Sequence, residues 1–319
     1  MKRARFWGTR GSLPVALTAA GVRAKLVSVL RTANGRAFAD DRQAAAFLDE
    51  LDFAVAGTYG GHSSCVEIET GASHYVLCDL GSGVRAFGEA AIARHGASSP
   101  QTYHIFMSHM HWDHIMGLPF FGPAYIPGNR LYIYGGHPRL EDALRRQQSP
   151  PSFPVDFSAF HSTIEFVTLE PGQRYDVAGM TVTLIRQYHG GESFGYRFEN
   201  SRRVIVYSTD SEHKLADPES SEAFIDFFRD ADLVIFDAMY SLADAISVKA
   251  DWGHSSNIIG VELCQRANAR HLCLFHHEPA STDDAIERVL NDTRRYEEIT
   301  RTGARLHISA AYDGMEIDL

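Results

Sequence analysis

Short apolar runs bounded by polar turns predict the strands of this chain. The clearest runs cover residues 3–7, 103–107, 180–187 and 203–207, and further runs read "CVEIE", "HYVLC", "RLYIYG", "ADLVIFD" and "ARHLCLF". Runs of this length between glycine- and proline-containing turns are typical of buried β-strands. The sequence therefore predicts a chain rich in strands, most of them buried.

Segments with apolar residues at helical spacing follow several of these strands. They read "VRAFGEAAIARHG", "PRLEDALRRQQ", "PESSEAFIDFFRD", "SSNIIGVELCQRAN" and "STDDAIERVLNDTRRYEEI". Each repeats apolar positions three or four residues apart, as one face of a helix does. Strands followed by helices in both halves of the chain predict an α/β (α+β) fold in which two mixed sheets pack face to face, with helices outside.

Residues 15–57 follow a different rhythm from the rest. The stretches "AKLVSVLRTA" and "DRQAAAFLDELDFAVA" have helical spacing and predict two helices. Because no change of composition marks a linker, we interpret residues 1–319 as one domain with a helical insertion at about 15–57 that lies over the main body. The insertion could serve as a substrate lid or as a dimer contact, and the sequence does not choose between them.

Composition and charge narrow the class of protein. A chain of 319 residues with 45% hydrophobic residues can bury a large core. Its formal net charge of −10 argues against broad adhesion to nucleic acid or to an anionic membrane. The four cysteines are scattered without a CxxC pair, which predicts buried free thiols. With no signal-peptide pattern and no run approaching the ~20 apolar residues of a membrane span, we expect a soluble cytoplasmic protein.

The candidate chemistry begins with "HMHWDH", residues 109–114, directly after the apolar run 103–107. Extended backbone sends alternate side chains to one side, so His109 and His111 can hold one metal as a pair. Asp113 and His114 open a turn or short helix, whose first turn Asp113 is placed to cap. Imidazole and carboxylate groups are ligands that zinc accepts. The motif alone can serve one metal or two.

Four later residues fall at predicted strand exits or in the loops that follow: His189, Asp210, His254 and His276. In layered sheet folds, binding and catalytic sites form where loops leave the strand ends. Their joint placement therefore predicts that they converge on the motif of residues 109–114.

Taken together, this motif with its distant partners resembles the metallo-β-lactamase superfamily. The segments "FWGTRGSLP", "HGGESFGYRF", "YSTD", "GHSS" and "AAYDGMEI" are most similar to its phosphodiesterase branch, which includes RNase Z and the phosphonate-pathway cyclic phosphodiesterase. The resemblance covers residues 1–14 and most of 58–319, but not the insertion. It implies an αββα metallo-β-lactamase sandwich, in agreement with the sheets and helices predicted above.

The resemblance also implies a site with two divalent metal ions. Zinc is the first expectation, with manganese and iron as alternatives. The implied ligands of one ion are His109, His111 and His189, those of the other are Asp113, His114 and His276, and Asp210 bridges the two. His277 competes with His276 for the last position.

These residues predict a two-metal hydrolase in which a bridging hydroxide attacks phosphorus. Asp113 is expected to orient the hydroxide, and His254, on the "GHSS" loop, is the candidate general acid. Arg10, His62 and Tyr125 could line the site beside a phosphate or a base, or each could simply be a turn or packing residue.

The expected substrate is a small phosphodiester such as a cyclic nucleotide or a cyclic dinucleotide. Between His114 and His189 the sequence shows no long arm that could grip tRNA, and the acidic balance also disfavours nucleic acid. The alternatives are a lactone, thioester or carboxylic ester hydrolase, an RNA 3′-end-processing endonuclease, and a non-hydrolytic di-iron protein. The last is disfavoured because His111 stands where such relatives tend to use a carboxylate. The oligomeric state stays open, a homo-oligomer included.

Overall fold

A computed structural model describes residues 1–213, 218–240 and 253–319, and its strands form two seven-stranded sheets. The strands of the first sheet are β1 (Arg3–Gly8), β2 (Cys65–Glu69), β3 (His74–Cys78), β4 (Thr102–Met107), β5 (Arg130–Gly135), β6 (Thr163–Thr168) and β14 (Glu316–Asp318). Those of the second sheet are β7 (Arg174–Val177), β8 (Met180–Gln187), β9 (Ser193–Glu199), β10 (Val204–Ser208), β11 (Leu233–Asp237), β12 (His271–Phe275) and β13 (His307–Ala310).

The strand order is β14-β1-β2-β3-β4-β5-β6 in the first sheet and β13-β12-β11-β10-β9-β8-β7 in the second. Strands β3 to β6 are parallel, as are β10 to β13, and the remaining neighbours are antiparallel. Both sheets are therefore mixed, as predicted. The parallel strands of the two sheets end at the same edge of the sandwich.

The described helices are α1 (Ala19–Ala33), α2 (Asp41–Asp49), α3 (Phe53–Ala56), α4 (Val84–His95), α5 (Trp112–Ile115), α6 (Leu140–Gln147), α7 (Pro218–Phe228), α8 (Asn257–Arg266) and α9 (Asp283–Thr300). Helices α4 and α6 cover the outer face of the first sheet, and α7, α8 and α9 cover that of the second. No helix among the described residues is long and apolar enough to cross a membrane.

Three apolar layers hold this arrangement together. Alternate residues of one strand serve different layers: Val76 packs between the sheets, whereas Tyr75 and Leu77 pack beneath α4. In the second sheet Ile235 faces the inter-sheet layer, and Phe236 faces the helices. Strands buried on both faces need apolar residues throughout, which explains the continuous runs in the sequence. The predicted αββα sandwich is confirmed.

Two elements differ from the sequence-based expectation. Strand β7, with the sequence "RYDV", was not expected, because it is a short edge strand whose residues are partly or fully exposed. Residues 15–57 contain three helices rather than two. The third, α3, is a single turn whose Phe53 ring packs against the rings of Tyr59 and Tyr312. All four cysteines are free and buried, as predicted.

Candidate metal centre

The candidate ligands come from loops that leave strands of both sheets. The motif of residues 109–114 follows β4 of the first sheet, and His189 follows β8 of the second. Asp210 follows β10, and His276 directly follows β12. Because the parallel strands β4, β10 and β12 end at the same edge of the sandwich, their exit loops meet there. The structure brings all seven predicted ligand residues together at this edge.

One group of side chains consists of His109, His111, His189 and Asp210, whose ligand atoms all lie within 4.8 Å of one another. The Nε2 atom of His189 lies 3.0 Å from Nδ1 of His111. The Nε2 atoms of His109 and His189 each lie 3.6 Å from Oδ2 of Asp210. This is the first ligand group.

The second ligand group consists of Asp113, His114, His276 and again Asp210. The Nε2 atoms of His114 and His276 are 3.2 Å apart, and each lies 3.1 Å from Oδ2 of Asp113. Both atoms also lie 3.2 Å from Oδ1 of Asp210. The two oxygens of Asp210 therefore face different groups, as a bridging carboxylate requires.

The donor atoms fit two divalent cations. His109 is 1% exposed, and its Nε2 atom has no hydrogen-bond partner among the described residues. An unpaired polar atom of this kind is costly unless something binds it. Ligands bonded to a tetrahedral zinc ion at ~2.0–2.1 Å stand roughly 3.3 Å apart, close to the spacings described above. Imidazole and carboxylate donors at these distances suit zinc and similar ions.

The protonation states also favour cation binding. Burial lowers the pKa of His109 well below its usual value, and the neighbouring His114 adds to this. Burial would raise the pKa of Asp113 and Asp210, but the histidines around them outweigh it and lower both. Burial also opposes a charge on His114, yet its carboxylate neighbours hold its pKa well above the usual range. A cation that displaces this proton would meet the ionised carboxylates of Asp113 and Asp210 and the neutral imidazole of His109.

Asp79 supports the centre from behind, a role that the sequence analysis missed. This fully buried carboxylate follows β3 in the left-handed conformation, with φ 61°. It accepts hydrogen bonds of 2.7 Å from the backbone and hydroxyl of Ser108, from Tyr207 and from Nδ1 of His114. Holding Nδ1 fixes the His114 ring so that Nε2 faces the second group. In the sequence, the signal that could have identified Asp79 was its position at the exit of a buried strand.

Asp113 does not cap a helix, contrary to the expectation. His111 occupies the N-cap of α5, and no side chain caps that helix. Asp113 lies inside the first turn, where its Oδ2 atom accepts a 2.8 Å hydrogen bond from the backbone N–H of Ser12. The same oxygen faces His114 and His276, so these contacts draw the carboxylate away from the helix end.

His254 lies beside the second group and is paired with Asp237. Its Nδ1 atom lies 2.8 Å from Oδ2 of Asp237, and its ring stacks on His276 with 5.2 Å between ring centres. Burial opposes protonation of His254, but Asp237 prevails and raises its pKa to about 9. The sequence analysis did not single out Asp237. Of the predicted loop "DWGHSSN", residues 251 and 252 lie outside the described residues.

The remaining candidates serve structural contacts. The buried Arg10 guanidinium donates to the carbonyl oxygens of Gly60, Glu278 and Ser281, in keeping with the packing role that the sequence left open for it. These carbonyl oxygens hold the guanidinium inside the protein and occupy its N–H donors. The Tyr125 hydroxyl donates to the carbonyl of Pro119, and His62 Nδ1 lies 3.2 Å from the hydroxyl of Ser82. His277 bonds the carbonyl of Ala311 through Nε2 and stands outside both ligand groups.

Comparisons with known proteins agree with this geometry. The family model described as a β-lactamase superfamily domain matches residues 74–277. Ribonuclease Z of Oceanobacillus iheyensis is 23% identical over 60% of this chain and 76% of its own length. The probable metallo-hydrolase YhfI of Bacillus subtilis is 24% identical over 70% of this chain and 85% of its own length.

Solved structures show the same fold along the chain. The metallo-β-lactamase fold protein YhfI from Bacillus subtilis superposes with a TM-score of 0.64 and 17% identity, covering 100% of this chain and 99% of its own. A diphosphatase from the PhnP family has a TM-score of 0.59 and 18% identity, covering 100% and 98%. Human tRNase Z, short form, has a TM-score of 0.60 and 17% identity, covering 99% and 98%.

Proposed function

The chain belongs to the metallo-β-lactamase superfamily and is a metal-dependent hydrolase, and from this premise we propose that it hydrolyses small phosphodiesters, such as cyclic nucleotides or cyclic dinucleotides, at a two-cation centre. The observation that carries the proposal is Asp210, whose two oxygens face two separate ligand groups. Relatives described as ribonuclease Z and as a PhnP-family diphosphatase support phosphorus chemistry.

In this proposal the first cation is held by His109, His111, His189 and Asp210, and the second by Asp113, His114, His276 and Asp210. When bound, two divalent cations supply Lewis acidity, which lowers the pKa of a shared water and offsets negative charge on the phosphoryl oxygens. Asp79 holds His114 in its tautomer, and Ser12 holds Asp113. The protein thereby presents a rigid set of donors before substrate arrives.

Two side chains handle the remaining steps. Asp113, anchored by the Ser12 N–H, orients the water that attacks phosphorus. Asp237 engages Nδ1 of His254, which leaves Nε2 to carry the proton that a departing alkoxide needs. His254 is therefore the proposed general acid, and Asp237 its positioning residue.

A small substrate fits the surrounding chain better than a long RNA. The segment between His114 and His189 contributes β5 to β8 to the two sheets, together with the short helix α6. The formal net charge of −10 weakens the long-range attraction that a polyanion would need.

The proposal is tested with protein loaded with zinc or manganese, with bis(p-nitrophenyl) phosphate as substrate. Asp210→Asn should lower kcat/KM by on the order of 10³-fold or more, because both ligand groups lose a charged donor. Bound metal per chain should fall as well. Asp142→Asn, on the exposed face of α6, is the matched control and should change neither.

A panel of cyclic nucleotides, linear dinucleotides, lactones and thioesters then identifies the substrate class. Activity confined to the phosphodiesters supports the proposal. A metal-loaded wild type that is inert on every phosphodiester and cleaves lactones or thioesters would make the protein a carbonyl hydrolase instead.

A further inference from the structure

Trp112 stands between the two ligand groups along the chain, and it is exposed to solvent. It follows His111 of the first group and precedes Asp113 of the second, so its Cα atom lies about 3.8 Å from the Cα atom of each. Trp112 is nonetheless 75% exposed. Tryptophan is highly buried on average in folded proteins, so an indole left in water beside a metal centre is available to a ligand.

The backbone fixes Trp112 at the rim of the centre. Its carbonyl oxygen accepts a 2.7 Å hydrogen bond from the N–H of Met116, which closes the single turn of α5. Successive side chains of a helix are turned by about 100° from one another, so Trp112 points to a different side from the ligands Asp113 and His114. Within the described part of the chain, the indole makes no hydrogen bond and contacts no other ring or cation.

The centre opens to solvent on the side of Trp112. All four residues of the second ligand group are buried, whereas His111 of the first group is exposed. Gly190 and Gly191 leave space beside His111. A Cβ atom at Gly191 would lie 3.8 Å from Nε2 of His111, and one at Gly190 would meet no atom of the described residues within 4 Å. A substrate therefore reaches the centre past His111, and the indole of the next residue borders this entrance.

A second exposed aromatic residue adjoins the same entrance. Tyr188 directly precedes His189, whose Nε2 atom lies 3.0 Å from Nδ1 of His111. Among the described residues, three phenylalanine, tyrosine or tryptophan side chains are exposed: Trp112, Phe120 and Tyr188. Two of the three are thus neighbours in sequence of the ligands at the entrance. Exposed aromatic surface is concentrated where a substrate would enter.

We propose that Trp112 stacks on the nucleobase of the substrate and thereby selects nucleotides over phosphodiesters without a base. The proposal rests on the phosphodiesterase function proposed above. The phosphodiester group would lie at the ligand groups, and the base would extend past His111 onto the indole. Aromatic side chains stack on any base, because every base has a π-face. Trp112 should therefore distinguish a base from no base, and discriminate only modestly between purines and pyrimidines.

The proposal is tested with two substrates that differ only in the base: a cyclic adenosine phosphate and methyl riboside bearing the same cyclic phosphate. The metal-loaded wild type should have a kcat/KM roughly 5–100-fold higher for the nucleotide, as stacking of one base provides. Trp112→Ala should bring this ratio close to one, mainly by raising KM for the nucleotide. Trp112→Phe keeps a ring and should retain much of the ratio.

The ratio compares two substrates of one protein, so a general loss of catalytic power in a variant cancels. Ile299→Ala, at a 68% exposed apolar position on α9, is the matched control and should keep the wild-type ratio. A wild type that does not prefer the nucleotide, or a Trp112→Ala protein that keeps the full preference, overturns the proposal.

Binding without turnover separates this inference from the proposed function. In isothermal titration calorimetry, the metal-loaded wild type should bind adenosine 5′-phosphate more tightly than ribose 5-phosphate, and Trp112→Ala should lose that difference. If the wild type cleaves no phosphodiester, the proposed function fails, and calorimetry alone decides on the stacking contact. A difference that disappears in Trp112→Ala supports the contact. Equal binding of the two ligands by the wild type, or a difference that Trp112→Ala keeps, rules it out.

Discussion

At the scale of single residues, the centre depends on abrupt turns directly after strands. Asp79, Asp210 and His276 adopt left-handed backbone conformations, with φ of 61°, 46° and 61°. Such conformations are uncommon for residues other than glycine and cost about 1–3 kcal/mol each, and they concentrate at functional sites. Each turn directs a polar side chain from a strand end into the centre.

Replacing Asp79 with asparagine should weaken cation binding by about 10–100-fold, since the carboxylate no longer holds Nδ1 of His114. A competing chromophoric chelator measures this affinity directly. Asp142→Asn should bind like the wild type. An unchanged affinity in Asp79→Asn would show that the His114 ring does not need this carboxylate to stay oriented.

Local spacing along the chain could identify some residues of the centre, strand exits and the family resemblance added His189, Asp210 and His276, and the supporting carboxylates escaped both. His109, His111 and His114 are close together along the chain, so local spacing was enough to predict a metal site. Asp79 and Asp237 matter because of what lies on a neighbouring strand or loop. That β3 pairs with β4, and that the loop carrying His254 reaches the end of β11, became evident only from the folded chain.

At the scale of elements, the insertion is fastened at a few points. The Phe53 ring of α3 packs against Tyr59 and Tyr312, and Lys25 of α1 reaches the buried Asp283 at the start of α9. Asp283 also accepts a hydrogen bond from the backbone N–H of Tyr59. One acidic side chain therefore joins α1, the segment after α3 and α9.

Lys25→Met should lower the free energy of unfolding by about 1–3 kcal/mol, because the buried Asp283 carboxylate loses its closest cation. Urea denaturation monitored by circular dichroism gives this value. Arg42→Met, at an exposed position on α2, should change stability by no more than about 0.5 kcal/mol. If the two variants unfold alike, the Lys25 pair does not fasten the insertion.

Elements with a long apolar pattern could be predicted from the sequence, and short exposed ones were harder. The run 103–107 corresponds to β4, and the predicted helix "VRAFGEAAIARHG" corresponds to α4. Strand β7 and the one-turn helix α3 lack a long apolar pattern, because they are short and lie at the margin of the fold. The conformation of such segments depends on tertiary contacts, which the local hydrophobic periodicity does not reveal.

At the scale of the whole molecule, burial makes the fold sensitive to acid. Burial lowers the pKa of His104 and His213 to about 4, and that of His271 to about 3, while neighbouring charges have smaller effects. Below the unfolded-state pKa of about 6.5, the unfolded chain binds protons that the native chain does not. The stability that these three histidines contribute is therefore fully present above about pH 6.5 and is lost as the pH falls toward 4.

His213→Leu should reduce this loss. The ring of His213 packs among Phe224, Phe228 and Phe236, and neither ring nitrogen has a partner among the described residues. Between pH 7 and pH 5 the variant should lose about 2 kcal/mol less stability than the wild type, as measured by urea denaturation. His161→Leu, at an exposed position, should keep the wild-type pH dependence. Parallel curves for all three proteins would contradict the assignment.

The division of each ligand group between the two sheets has a consequence for how the protein matures. On the ribosome, the histidines that follow β4 emerge early, but the first group lacks its carboxylate until residue 210 has been synthesised. The second group stays incomplete until residue 276 appears, far along the 319-residue chain. The order of synthesis therefore sets the earliest moment at which each ligand group can be complete, and the second group is completed only after the first.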